Sequence, residues 1–306
     1  MPQTKKSAQS LRVATFNVEN LFARYNFKQA DAPVQTDGFT INDLAFRIMD
    51  DQEKALTGKV ITEANGDIIA LQEVESLEVL DRFCSDYLAG MNYQHRILID
   101  SHDPRRIDVA LLSRYPLANI RTHRQDRNSN NSGWLFSRDC LEVEVAVKEK
   151  VLHLYVNHFK SKLGSPQESD AKRLAQAKRV AELVDLRWKK EQYQGNFIIL
   201  GDLNDFPTSA PLAPLVKHPD LVNVVERLPK EERWTHYYAG DKSYNQIDYL
   251  LLSKALANKN ANPPTIVRSG LPLRASRHTG PRLPGVGQDR PKASDHSALV
   301  MELVLV

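Results

Sequence analysis

Cysteine is scarce: Cys84 and Cys140 are the only two in 306 residues, and each sits among apolar neighbours. Two thiols so far apart do not make the disulfide framework of a small secreted fold, and they lack the spacing of a zinc site, so both read as buried thiols. Long apolar runs are missing as well. The longest, around residues 107–112 and 297–306, are strand-sized and fall short of the ~20 residues a membrane helix needs, so no membrane span is expected. Charge of one sign is also lacking. Forty-one Lys and Arg stand against 38 Asp and Glu, a net charge of +3, which excludes a polycationic tail protein and confines nucleic-acid binding to local clusters. The first ten residues, MPQTKKSAQS, hold two lysines and no apolar stretch of the kind a signal peptide requires. They are expected to be a flexible N-terminus ahead of a single domain over 11–306. A cytoplasmic location is expected, or a secreted one if the chain is a trimmed mature form. A monomer is the default.

What the chain does have is strands. LRVATFNV (11–18), DIIALQEV (67–74), RIDVALLS (106–113), LEVEVAV (141–147), VLHLYVNHF (151–159), NFIILG (196–201), IDYLLLS (247–253) and ALVMELVLV (298–306) all carry strand-type apolar runs. LEVEVAV alternates and predicts one wet face; the others are more continuously apolar. Helices are predicted near 42–63, 76–89 and 170–190. In the last, Leu174, Ala177, Ala181, Val184 and Trp188 recur at steps of three and four, with Lys and Arg expected to face solvent. Many strands and a few long helices predict an α/β (α+β) fold of two packed sheets with helices outside.

Polar residues interrupt these strands at their ends. Asn17 and Glu19 end the first strand and Glu73 the second; His158 ends the fifth; Asp202 and Asn204 end the sixth; Asp248 lies inside IDYLLLS; Asp295 and His296 open the last. Singly, each reads as a cap, a turn or a satisfied buried acid. Burying an unpaired carboxylate costs several kcal/mol, however, and a shared site would supply partners for all of them. In GDLNDFP, Gly201 permits a close backbone approach, and in extended chain Asp202 and Asn204 would share one face about 7 Å apart. Oxygen ligands without Cys indicate Mg²⁺, with Mn²⁺ or Ca²⁺ as alternatives. Phosphoryl transfer uses such a metal, a group that orients and deprotonates water, and cations for the phosphate charge.

Taken together, TFNVENL, LQEV, RRIDVALLSRYPL, VNHFKSK, GDLNDFP, IDYLLLS and SDHSALV resemble, in order and spacing, the endonuclease/exonuclease/phosphatase superfamily that contains DNase I and exonuclease III. The resemblance implies a four-layered αββα sandwich with two mixed sheets. It implies that Asn17 and Glu73 bind the metal, with Asp295 a further carboxylate near it and Glu19 where some relatives carry a second acid. It implies that Asp202 and Asn204 activate and orient water, and that His158 contacts phosphate as a candidate proton donor to the leaving oxygen. His296 is implied to pair with Asp248.

Departures narrow the substrate. LQEVES lacks the Lys that abasic-site endonucleases carry after LQE, and the signature segments of inositol-polyphosphate 5-phosphatases are missing. NHFKSK and GDLNDFP are closer to bacterial DNase I-like nucleases, although sphingomyelinase-type phosphodiesterases share parts of the pattern. The expected function is a metal-dependent phosphodiesterase acting on nucleic acid. A lipid or small-phosphoester hydrolase and an inactive binding module on the same fold are the alternatives. Lys160 and Lys162, at alternate positions, would contact flanking phosphates together with Arg106. Segment 254–294 carries eight Lys and Arg against Asp289 alone and is expected to form a basic wall of the cleft that includes Arg274 and Arg277.

Overall fold

A computed structural model describes residues 10–22, 40–41, 44–45 and 51–306. The expected flexible N-terminus, apart from Ser10, lies outside the described residues. In chain order the strands are β1 (Leu11–Leu21), β2 (Thr40–Ile41), β3 (Leu44–Ala45), β4 (Ile68–Val74), β5 (His95–Leu98), β6 (Asp108–Ser113), β7 (Leu117–Thr122), β8 (Cys140–Val147), β9 (Lys150–His158), β10 (Phe197–Asp202), β11 (Leu221–Asn223), β12 (His236–Tyr238), β13 (Ser243–Asn245), β14 (Asp248–Ser253), β15 (Thr265–Val267) and β16 (Ala298–Leu303). The helices are α1 (Asp51–Ala64), α2 (Leu77–Tyr87), α3 (Pro166–Trp188), α4 (Ala213–Val216) and α5 (Lys254–Lys259). The helix expected over 42–63 starts later. Leu44–Ala45 pairs with Thr40–Ile41 instead, while 42–43 and 46–50 lie outside the described residues.

Two six-stranded sheets run in the orders β15-β16-β1-β4-β6-β5 and β11-β14-β10-β9-β8-β7. Val13, Val109 and Leu111 from the first meet Leu154, Val156, Ile198 and Leu250 from the second in a sealed core between them. The outer face of the first sheet packs Phe16, Leu71 and Leu112 on Val60, Ile61 and Phe83 of α1 and α2. The outer face of the second packs Tyr155, Phe197, Ile199 and Leu251 on Val180, Val184 and Trp188 of α3. With both faces covered, a central strand has no wet side, which is why FIIL is apolar throughout and the strand is buried to its end at Asp202. This is the αββα sandwich that the motifs implied.

The wet face expected of LEVEVAV is half right. Glu144 is partly exposed, but Glu142 is buried and held by Arg121 and His123. On α3, Ser165 caps the first turn and Pro166 follows at a position that needs no amide donor. Its cations do not all face solvent: Arg173 is fully buried.

The topology gathers chemistry at one end. β1 and β4 run parallel, as do β9 and β10, so their C-terminal ends align. β14 lies antiparallel to β10, and β16 to β1, so both contribute their starts to that same end. Asp202 therefore sits in register with His158 on one side and Asp248 on the other.

Candidate active site

Local backbone irregularities aim the side chains. Glu73 (φ 68°) lies at a break in the β4–β6 register, and Glu19 (φ 49°) and Asn20 (φ 67°) lie where the β1–β4 register shifts. Such left-handed residues cost energy and cluster at functional sites. At Gly201 (φ 129°) an added Cβ would stand 1.9 Å from the Asn157 carbonyl oxygen, so the close approach expected of this glycine is to β9. Asp202 and Asn204 do not extend along one face about 7 Å apart. Asn204 (φ 54°) turns back, its amide N donating to Asp202 Oδ1 at 2.8 Å and its Nδ2 to Asp202 Oδ2 at 3.1 Å.

Asp202 is the hub. Its Oδ2 accepts from Asn17 Nδ2 at 3.1 Å, across the seam between the sheets, and lies 3.6 Å from His158 Nε2 and 3.9 Å from His296 Nε2. Glu73 Oε1 stands 3.4 Å from Asn17 Nδ2 and 3.8 Å from His158 Nε2. Among the described residues no Lys or Arg comes within 4.0 Å of the Glu73 carboxylate. Behind, His296 Nδ1 is 3.0 Å from Asp248 Oδ2, and Thr235 Oγ1 accepts the Asp248 amide at 3.1 Å. Ser294 Oγ donates to the Asn17 carbonyl and accepts from the His296 amide.

The two histidines are electrostatic opposites. Burial lowers His158 well below its ordinary value, and the nearby Arg138 and Arg105 push it further, so its imidazole is neutral at pH 7. A neutral His158 can donate an Nε2–H hydrogen bond to a phosphate oxygen. Burial alone would also lower His296, but Asp248, Asp202 and Asp295 outweigh it and raise the ring well above its ordinary value. Burial pushes Asp202 up to about 7; His296 opposes that rise and Asp248 adds to it.

Of the metal ligands expected, Asn17, Glu73 and Asp295 border this cluster and Glu19 is turned from it. The Glu19 carboxylate is held by Lys292 at 2.7 Å, Arg290 at 3.3 Å and the Asp295 amide at 2.9 Å. Burial and Asp295 push Glu19 up to about 7 against those cations. Burial would raise Asp295, but Lys292, His236 and His296 hold it well below the carboxylate range. Oxygen donors from Glu73, Asn17 and Asp295 fit a hard divalent cation, and the Glu73 carboxylate, without a direct Lys or Arg partner among the described residues, is open to such an ion. Two His/carboxylate groupings, His236–Asp295–His296 and Asp202–Asp248–His296, also have ligand atoms within 4.8 Å of one another.

The expected phosphate contacts are mostly engaged internally. Lys160 Nζ donates to the carbonyls of Ser161 and Leu163, and Lys162 pairs with Asp205 at 2.8 Å over the Phe206 ring, so the two do not project from a common strand face. Arg106 (φ 54°) is exposed beside Arg105, which clasps Asp103. The basic wall is largely a clasp too. Arg274 pairs with Asp289, Arg290 with Glu53 and Glu19, and Lys292 with Glu19; Arg277 lies over Tyr244, and Arg282 donates to backbone carbonyls.

Sequence reasoning missed His236 and Arg138. His236 packs against His296, with ring centroids 4.5 Å apart and planes tilted by 47°, and stands 3.8 Å from Asp295 Oδ2. WTHYY offered a histidine inside an aromatic run as its signal. Arg138 is 2% exposed, pairs with Asp103 and donates to the Phe159 carbonyl beside His158. Its place just before a strand looked like an ordinary loop cation.

The sequence matches the model of the Endonuclease/Exonuclease/phosphatase family over residues 12–270. No curated protein matches it significantly. Among solved structures, truncated TDP2 from Caenorhabditis elegans superposes with a TM-score of 0.60 at 16% identity, over 96% of this chain and 97% of that one. The human nocturnin catalytic domain gives 0.63 at 16% identity, over 97% and 95% of the two chains. Beta toxin from Staphylococcus aureus gives 0.62 at 14% identity, over 95% and 98%. At these identities the structures share the fold. The family match, spanning most of the length, shows that the chain belongs to the endonuclease/exonuclease/phosphatase family, whose members are metal-dependent phosphoesterases.

Proposed function

We propose that the protein is a divalent-metal-dependent phosphodiesterase of the DNase I-like type that hydrolyses nucleic acid with little sequence preference, and that residues 11–306 act as one domain. The observation that carries this reading is Asp202 Oδ2, held 3.1 Å from Asn17 and from Asn204 and lying between a neutral His158 and a protonated His296. Asp202 and Asn204 would orient and deprotonate the attacking water. Neutral His158 would donate Nε2–H to a phosphate oxygen, and His296, fixed by Asp248, would supply a charged donor where negative charge develops. Asn17 and Glu73, with Asp295, would hold Mg²⁺ or Mn²⁺, which when bound supplies charge neutralisation and a lowered water pKa.

Incubation with supercoiled DNA, RNA, bis-nitrophenyl phosphate and sphingomyelin, each with Mg²⁺, Mn²⁺ or EDTA, tests this. Cleavage of nucleic acid, abolished by EDTA and by Glu73→Ala or His296→Ala, is the expected outcome. Activity confined to the lipid or the small diester would overturn the nuclease reading.

A further inference from the structure

A cavity of about 270 Å³ adjoins the site and has no role in the chemistry above. Its apolar wall is Tyr237, Ala239 and Pro272; its polar wall is Arg274, Asp289, Arg290 and Lys292, with Glu19 and Asp295 completing it. Asp295 joins it to the reaction centre, since Asp295 Oδ1 is 3.8 Å from His296 Nε2. We propose that this cavity receives the terminal phosphate monoester of the nucleic-acid strand being cut, making the protein an end-directed nuclease; the inference rests on the nuclease reading.

Charge selects that ligand. Arg290 and Lys292 are neutralised from within by Glu53 and Glu19. Arg274 is different: its ionic partner is Asp289, and the two side chains are 46% and 55% exposed. An exposed ion pair contributes little, so a ligand anion can take the place of Asp289 at small cost. An internal phosphodiester carries one charge and would merely exchange one monoanion for another. A terminal phosphate monoester carries about −1.5 to −2 at pH 7 and three acceptor oxygens, which match the fork of the Arg274 guanidinium. Size agrees. The volume lies just under the ~300–1,000 Å³ of pockets that hold drug-sized ligands, enough for one sugar and its phosphate against Tyr237 and Pro272.

The test compares single-stranded oligonucleotides bearing a 5′-phosphate, a 3′-phosphate or only hydroxyl ends, with Mg²⁺ or Mn²⁺, alongside inhibition by inorganic phosphate. One phosphorylated end should raise kcat/KM at least about tenfold over the hydroxyl-ended strand, chiefly through KM. Arg274→Ala should bring the ratio to parity, and Asp289→Asn should tighten inhibition by inorganic phosphate. Parity in the unaltered protein, or a preference that survives Arg274→Ala, overturns the pocket and leaves the nuclease reading standing. Inertness toward every oligonucleotide while bis-nitrophenyl phosphate is cleaved overturns both.

Discussion

His296 Nδ1 lies 3.0 Å from Asp248 Oδ2, and this contact crosses the seam between the two sheets. Asp248 is 0% exposed and its amide is tied to Thr235, so it cannot follow the imidazole if the ring moves. Asp248→Asn keeps the shape and removes the charge that holds His296 protonated. Turnover of bis-nitrophenyl phosphate should fall by about 10²–10⁴. Residues acting as one unit are not additive, so Asp248→Asn combined with His296→Ala should be no slower than His296→Ala alone. Additive losses would show that Asp248 acts elsewhere.

Arg173 of α3 supports the loop that follows His158. Its Nε is 2.9 Å from Asp205 Oδ2, its Nη1 donates to the Lys160 carbonyl, and the neighbouring Gln176 accepts the Lys160 amide. Arg173→Met leaves the buried Asp205 with Lys162 as its remaining ionic partner. Urea denaturation should show a loss of about 3–5 kcal/mol. Lys162→Ala removes a half-exposed cation from the same carboxylate and should cost about 0–1 kcal/mol. Equal losses would mean that burial does not set the difference.

The contrast between Arg173 and Asp202 also shows what a sequence makes legible. Polar residues at the ends of apolar strands stood out because burial made them anomalous, and eight strands were readable because both faces of each sheet are covered. Short edge strands such as β5, β11 and β15 carried too few residues for a period to show. Arg138 passed as a surface cation because its partners Asp103 and Phe159 lie 35 and 21 residues away, and Arg173 because the buried carboxylate it clasps, Asp205, lies 32 residues on. Glu19 sat in a metal-site motif, yet its cations come from Arg290 and Lys292, more than 270 residues on. Pairings at that separation leave no local pattern.

Gly201 tests the backbone junction beneath the site. Alanine there meets both a left-handed φ of 129° and the Asn157 carbonyl, and a strand carbonyl cannot swing aside as a flexible side chain would. Gly201→Ala should lose several kcal/mol of stability, the tail of the range for single substitutions. Gly164→Ala, which also has φ > 0 but meets nothing within 4 Å, should lose only about 1–2 kcal/mol. Matching melting temperatures for the two variants would rule out the close approach as the cause.

Asp108 links stability to pH outside the catalytic cluster. It opens β6, is 3% exposed, and its Oδ1 accepts the Ser101 amide at 3.1 Å. Burial, and then repulsion from Asp100, pushes its carboxyl from 3.8 up to about 7. Between those values the folded protein holds a proton that the unfolded chain has released, so this group's contribution to stability falls as pH rises from about 4 to about 7 and is level above. Asp108→Asn keeps the acceptor and mimics the protonated acid. The variant should match the parent near pH 4 and exceed it above pH 7 by up to about 4 kcal/mol, the linkage equivalent of a three-unit shift. Denaturation curves at pH 4, 5.5 and 7.5 measure this; a gap that does not open over that interval would show that another group titrates.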